Sequence, residues 1–382
     1  MTKRQRILYV VNNMEFFLSH RLPHAIAAQE QGYDIHVATP QHALTREAIN
    51  AGFTFHGIPL NRSHPSVREE VRTVAALARL YRTLRPDIVH HVTIKPVLYG
   101  SLVARLTGVP AVVNAVSGLG YVFIATGTVA VIRRQIVLGM YRLAFGHPNS
   151  RVIFQNPNDR SMFVDTGIVP YHRTVLIRGS GVDLNTIVPA EEPSGPVTVV
   201  LASRLLGDKG VREFVGAARQ LHARGIKGRF VLVGDVDPGN PTSLTSSEIR
   251  SWEYDGTIEW WGHRDDMSQV FADCHLVCLP SYQEGLPKVL IEAAAAGRPI
   301  VTTDVPGCRE VVQHGETGFL VPPRTVSPLA SALEQLMLDQ ALRARFGARA
   351  REGSVQFDLQ TVIADTLALY QTVAPGEPRV SD

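Results

Sequence analysis

The sequence predicts an α/β protein of two Rossmann-like, doubly wound parallel-sheet domains facing each other across a cleft. Two observations predict it. A length of 382 residues exceeds what one hydrophobic core usually serves. Short apolar runs alternate with helix-like segments along the whole chain, which is the spacing of parallel βαβ units. The halves differ in charge as well, which bears on partners rather than on fold. Residues 1–185 hold 20 Lys/Arg against 10 Asp/Glu, a balance of +10, and the rest hold 18 against 25, a balance of −7. The expected domains are 1–188 and 189–356, with Glu191–Pro196 as linker and a C-terminal helix at about 357–375 packing back on the first domain. Ligands of such a fold bind at the carboxyl ends of the strands.

In chain order, Ile7–Val11 reads as a buried strand, then a loop at Asn12–Glu15 and a helix from about Phe17 to Gln31, ended by Gly32. Strands follow at Asp34–Thr39, Phe53–Ile58, Ile88–Val92, Ala111–Val116, Arg151–Gln155 and Thr174–Arg178. The helix Val67–Leu84 places Val67, Val71, Val74, Leu77, Tyr81 and Leu84 on one face, read as core-packed. Arg68, Arg72, Arg79 and Arg82 form a stripe on another. A second basic-apolar helix is expected at Val129–Phe145, with Arg133, Arg134 and Arg142. The second half repeats the alternation, with strands at Val197–Ser203, Arg229–Val233, Thr257–Trp261, His275–Leu279, Pro299–Thr303 and Phe319–Val321.

Composition narrows the class. Hydrophobic content of 45% and charged content of 19% fit a globular protein. Cys274, Cys278 and Cys308 make no disulfide framework and no Cys-x-x-Cys pair, so a reducing, cytoplasmic compartment is expected. The first apolar run is too short for a signal peptide. The uncharged stretch Leu106–Ile132 is interrupted by Pro110, Asn114, Ser117, Gly118, Gly120 and Gly127, which argues against a membrane span. The basic first half suits an anionic surface or substrate, and no nucleic-acid partner is expected.

The most informative stretch is Pro280–Gly297. A strand feeds a loop, and the loop opens a helix that carries both Glu284 and Glu292, with Glu284-Gly285-Leu286-Pro287 at its mouth and Gly297 and Pro299 at its end. Glu284 and Glu292 are eight residues apart, about 12 Å of helical rise and a net turn of about 80°, which leaves both carboxylates on neighbouring faces. Gly285, Leu286, Pro287 and Lys288 lie where first-turn amides and the helix dipole favour an anion, with Pro287 expected at the first helical position. After Val197–Ser203, Arg204 and Lys209 lie five residues apart at a strand exit, and that pair suits a pyrophosphate. Asp235-Val236-Asp237 has the form of an Asp-x-Asp metal site, but Arg204 and Lys209 already offer the positive charge.

Glu284-x7-Glu292, Arg204 with Lys209, Gly179-Ser180-Gly181-Val182-Asp183, Asp304–Glu310 and His314–Leu320 occur in the order seen in family-4 glycosyltransferases, and the second half resembles that family throughout. The fold implied is GT-B. The resemblance extends to the subgroup that elongates polyprenyl-diphosphate-linked sugars in bacillosamine-type glycan, O-antigen or capsule assembly. It is carried by Ser203–Leu206, Lys209–Val211 and Val233–Pro241, and more loosely by Lys95-Pro96, Gly100 and Gly118-Leu119-Gly120.

The resemblance implies a retaining transfer of an N-acetylhexosamine, GalNAc or GlcNAc, from its UDP donor to an undecaprenyl-diphosphate-linked saccharide. The work would be done peripherally on the cytoplasmic face of the inner membrane, with no bound metal and no cofactor. Glu284 would contact the donor sugar, Glu292 the ribose, and Arg204 and Lys209 the diphosphate. Asp237 and Asn240 would complete the donor site, and no protein nucleophile is implied. Asn13, His20, Lys95, Gly118 and Gly120 are the candidate acceptor contacts, with His91 as the candidate base for the acceptor hydroxyl. The alternatives are an epimerase of the same fold acting on UDP-N-acetylglucosamine, a hexosyltransferase using UDP-glucose or UDP-galactose, and a non-catalytic sugar-nucleotide or membrane-binding scaffold.

Overall fold

Residues 4–60, 66–118 and 127–374 are described by a computed structural model. They fall into two units. One is Met1–Ser180 with Val362–Asp382, and the other is Gly181–Thr361.

The first unit is built on a seven-stranded sheet in the order β3-β2-β1-β4-β5-β6-β7. Its strands are β1 (Arg6–Val11), β2 (Asp34–Thr39), β3 (Thr54–Gly57), β4 (Ile88–Val92), β5 (Ala111–Val116), β6 (Ser150–Phe154) and β7 (Thr174–Leu176). All its pairings are parallel. The chain reverses its direction of winding between β1 and β4, so the topological switch point lies there. Central strands such as Ile88–Val92 and Ala111–Val116 are buried along their whole length, and the sequence shows them as apolar runs interrupted only by His90, His91 and Asn114. From Val362 onward, the Leu359–Val373 helix belongs to this unit and buries Leu369, Tyr370 and Val373 against its core.

The second unit carries a six-stranded parallel sheet in the order β10-β9-β8-β11-β12-β13. These are β8 (Thr198–Ala202), β9 (Arg229–Val233), β10 (Glu259–Gly262), β11 (Leu276–Leu279), β12 (Ile300–Thr303) and β13 (Gly318–Val321). Apolar clusters cover both of its faces, one around Phe214, Phe230 and Leu333, the other around Phe271, Leu290 and Ile291.

Four expectations change. The first helix is two, Met14–His20 and Leu22–Glu30, because Pro23 lacks the N–H an unbroken helix would need and Arg21 leaves helical geometry at φ −130°. The Val67–Leu84 helix, started by a Ser66/Glu69 capping box, buries Thr73, Leu77 and Tyr81. Val67 and Val71 instead stand 81% and 62% exposed. By helical stepping these two valines lie about 80–120° round from Leu77, beside the arginines.

The expected linker is also tied down within the second unit. The Arg343 guanidinium donates to both Glu192 carboxylate oxygens at 2.7 and 2.9 Å, and Arg298 donates to the Glu191 carbonyl at 3.0 Å. Both arginines are buried, so they require acceptors. The chain passes from one unit to the other at Ser180/Gly181 and again at Thr361/Val362. Fourth, Glu284 lies outside the helix. Among the described residues no helix is long and apolar enough to cross a membrane.

Candidate functional site

The second unit gathers its candidate residues at the carboxyl ends of β8, β9 and β11. Beyond β8 the chain makes a single turn of 3-10 helix, Gly207–Lys209, and swings into the Val211–Ala223 helix at Gly210. Gly210 has φ +73°, and a Cβ there would stand 2.1 Å from the Pro280 carbonyl oxygen, so only glycine lets these two loops meet. The contact is sealed by the Tyr282 N–H, which donates to the Asp208 carbonyl at 2.9 Å. From the other side, a Cβ on Gly307 would lie 2.6 Å from the Glu284 carbonyl oxygen, and the Thr303 hydroxyl donates to the Ser281 carbonyl. The Glu284 loop is thus held between the Lys209 turn and the loop after β12.

The loop after β9 straps the same turn. Leu205 N–H donates to the Asp235 carbonyl at 2.9 Å and Gly207 N–H to the Thr242 carbonyl at 2.6 Å. The Thr242 hydroxyl lies 2.9 Å from Asp208 Oδ1. Asn240 serves this loop, since its N–H donates to the Asp237 carbonyl at 2.8 Å and its Oδ1 accepts from the Thr242 N–H at 2.9 Å.

Within this frame each candidate cation faces a carboxylate. Lys209 Nζ donates to Glu284 Oε1 at 2.5 Å, Arg204 to Asp237 Oδ2 at 2.7 Å, and Lys288 Nζ stands 3.0 Å from Glu292 Oε1. The helix here is Lys288–Ala295 with Pro287 as its N-cap, ψ 113°. Pro287 therefore precedes the first helical position, and Glu284 lies in the loop four residues ahead of Lys288, so only Glu292 rides on the helix. Leu286 is buried in the core below, which fixes the Gly285–Pro287 entry. Such a site offers cations in Arg204, Lys209 and Lys288, first-turn amides and carboxylates able to accept from hydroxyls, the groups that an anionic, hydroxyl-rich ligand needs.

Among the described residues no three His, Cys, Asp or Glu side chains gather as a metal site. Cys308 lies beside the site, but burial raises its thiol to about 12 and keeps it unreactive. Sequence reasoning did not single out Asp208, Thr242, Tyr282 or Gly307. Tyr282 lies within the Pro280–Gly297 stretch and Gly307 within the Asp304–Glu310 motif, but neither stood out there with a role of its own.

The first unit treats its candidates differently. His91 is sealed in the core, with Nε2 2.9 Å from the Tyr81 hydroxyl and Nδ1 2.9 Å from Asn114 Oδ1. Burial lowers its pKa to about 3, so the ring is neutral and both nitrogens are engaged. This overturns the expectation of a base for an acceptor hydroxyl. Lys95 Nζ donates to Glu70 Oε1 at 3.0 Å. Asn13 spends its Oδ1 on capping the Met14–His20 helix, accepting from Phe16 N–H at 2.7 Å. His20 stacks on Phe16 with ring centroids 4.1 Å apart, and its Nδ1 lies 2.6 Å from the Ser19 hydroxyl. Gly118 takes φ +118°, and Gly120 lies outside the described residues. Asn13 also lines a cavity of about 570 Å³ with Asn12, His42, Ile58 and Arg72.

Two family models match in sequence order. Residues 6–156 match the "Glycosyl transferase 4-like" model, and residues 196–339 match "Glycosyl transferases group 1". The chain belongs to the glycosyltransferases. A similar protein is the N,N'-diacetylbacillosaminyl-diphospho-undecaprenol alpha-1,3-N-acetylgalactosaminyltransferase of Campylobacter jejuni. It is 26% identical over 379 residues, covering 94% of this chain and 98% of that protein. Among solved structures, sucrose-phosphate synthase from Thermosynechococcus elongatus superposes with a TM-score of 0.79 at 19% identity, over 97% and 99% of the two chains. Anabaena Alr3699/HepE in complex with UDP gives 0.74 at 20%, over 96% and 100%. These likenesses make the fold of this glycosyltransferase GT-B.

Proposed function

We propose that this glycosyltransferase retains anomeric configuration and moves an N-acetylhexosamine from its UDP donor to a saccharide carried on undecaprenyl diphosphate, in the assembly of a bacterial surface or protein-linked glycan. The observation that carries the reading is the meeting of Lys209 with Glu284 and of Arg204 with Asp237 at the ends of β8, β9 and β11. The named specificity of the Campylobacter jejuni relative supports the choice of sugar and carrier.

In this reading Arg204 and Lys209 leave their carboxylate partners for the diphosphate. Glu284, released from Lys209, accepts from a donor-sugar hydroxyl. Glu292, held by Lys288, accepts from the ribose, and Asp237 and Asn240 shape the wall beside the diphosphate. Charge grows on the leaving UDP as the glycosidic bond breaks. The two cations and the first-turn amides of Lys288 and Val289 stabilise that charge without reorganising. Lys95, Asn13, His20, Gly118 and Gly120 remain the residues assigned to the acceptor side.

The enzyme works on an anionic membrane surface at the cytoplasmic face. Arg68, Arg72, Arg79 and Arg82 are exposed beside the exposed Val67 and Val71, and such a basic-apolar face suits lipid headgroups. The test is UDP release from UDP-N-acetylhexosamine when an undecaprenyl-diphosphate sugar is added. Release that depends on the acceptor supports the proposal. Epimerisation of the UDP-sugar alone would overturn it in favour of the epimerase alternative.

A further inference from the structure

Tyr282 stands two residues ahead of Glu284, and its side chain has no part in the reading above. Its N–H reaches the Asp208 carbonyl at 2.9 Å, in the turn that carries Lys209. Its hydroxyl donates to Glu213 Oε1 at 2.6 Å. Burial, with the Glu213 carboxylate beside it, raises the phenol's pKa, so the hydroxyl stays protonated and donates. Arg324 caps the ring, with Cζ 4.6 Å from its centroid. Segments that follow β8, β11 and β13 thus meet on one half-buried side chain.

Both partners of Tyr282 are costly to keep. Glu213 lies in the first turn of the Val211–Ala223 helix, where the dipole favours a carboxylate. Its Oε2 is nonetheless shielded from solvent without a partner. Among the described residues the Tyr282 hydroxyl is the one donor that carboxylate receives. A carboxylate held half-unpaired lowers stability. Arg324 holds φ +61°, a left-handed conformation that non-glycine residues adopt at a cost. Strain and unpaired charge gathered around one residue beside a functional loop point to placement, not to stability.

We propose that Tyr282 is a positioning residue, whose phenol, tied to Glu213, sets the Glu284 carboxylate against Lys209 and so fixes where Glu284 meets the donor sugar. The geometry explains how one side chain can do this. Lys209 follows Asp208 directly and Glu284 follows Tyr282 by two residues, so both partners of the 2.5 Å pair hang from one anchor. The backbone bonds at Ser281 and Tyr282 hold the loop down. The phenol adds the side-chain restraint that stops it from rocking about them. Tyr282 need not touch the ligand, because it acts through Glu284. The inference rests on the transfer reading above and assigns a role to residues outside that reading.

The experiment compares Tyr282→Phe, Glu213→Ala, Glu213→Gln and the Tyr282→Phe/Glu213→Ala double variant in the full chain. Tyr282→Phe keeps the ring under Arg324 and removes only the hydroxyl. It lowers kcat for transfer from UDP-N-acetylhexosamine about ten- to a hundredfold. Calorimetry then shows UDP bound as tightly as by wild type or more tightly, because Lys209 is less firmly engaged. Glu213→Ala matches Tyr282→Phe, and the double variant is no slower than either, since all three break one bond. Glu213→Gln keeps an oxygen that accepts from the phenol, so its kcat stays within twofold of wild type. A Tyr282→Phe kcat within twofold of wild type would overturn the inference. So would UDP binding that weakens in step with kcat, the mark of a merely structural role. If wild type transfers to no lipid-linked acceptor offered, the transfer reading fails separately. The Lys209 ammonium signal in proton–nitrogen NMR then decides, in a chain with only five lysines. A signal held in wild type and Glu213→Gln but lost in Tyr282→Phe supports the anchor. A signal equal in all three, or absent from wild type, removes it.

Discussion

At the scale of residues, Glu284 and Lys209 neutralise each other across 2.5 Å. Glu284→Gln removes the sugar contact and also frees Lys209 for phosphate. Turnover therefore falls about a hundredfold or more, whereas UDP, which has no sugar to lose, binds about two- to fivefold more tightly. Calorimetry with UDP beside steady-state kinetics checks both, and normal turnover with weaker UDP binding would remove Glu284 from the site. The buried histidines set a pH limit. Burial holds His24 and His91 at about 3, so their folded pKa values lie below the unfolded value. The stability they contribute is present above about pH 6.5 and is lost as pH falls from there towards 3, by up to about 1.4 kcal/mol per pH unit for each histidine. Urea unfolding across that window measures it, and His91→Gln should flatten the slope by one histidine. The cations and carboxylates proposed for the donor site could be picked out of the sequence because their chemistry is local to short motifs. His91 was misread because Tyr81, Ser101 and Asn114 reach it from separate elements. Asp208 and Tyr282 were invisible because the bond joining their loops uses the backbone of both.

Elements show the same division. Apolar runs and helix caps were readable, so the strands of both sheets lie where periodicity puts them. Which part of a helical stripe is buried depends on the neighbours it meets, and Val67 and Val71 were assigned to the core on periodicity alone. Their exposure strengthens the case for membrane contact at this helix. Reversing Arg68, Arg72, Arg79 and Arg82 to glutamate should weaken binding to anionic liposomes by at least tenfold at low salt, with UDP binding intact. Liposome sedimentation checks this, and unchanged binding would make the stripe a solvated face. The Lys209 turn depends on one glycine. Gly210→Ala forces a side chain into a left-handed backbone and onto the Pro280 carbonyl, costing about 1–3 kcal/mol in strain. It should lower Tm and donor affinity together.

For the whole molecule, the sequence assigned opposite charge to the two halves, and the enzyme is built as two parallel-sheet units with the proposed donor constellation in the acidic one. The unit boundaries were less legible, because the Pro/Gly-rich stretch that reads as a linker is held by buried arginines from elsewhere in its own unit. Arg204 and Lys209 supply the positive charge a diphosphate needs, so activity should survive EDTA. Loss on chelation with recovery on Mg²⁺ or Mn²⁺ would shift the phosphate clamp to Asp235 and Asp237. The most direct test of the account is a screen of UDP-sugars against synthetic undecaprenyl-diphosphate saccharides, with the product read by mass spectrometry and its anomeric proton by NMR. The account predicts a lipid-linked product heavier by one N-acetylhexosamine residue, with an α linkage. A product with inverted configuration, or UDP-sugar consumed with nothing added to the lipid, would contradict it.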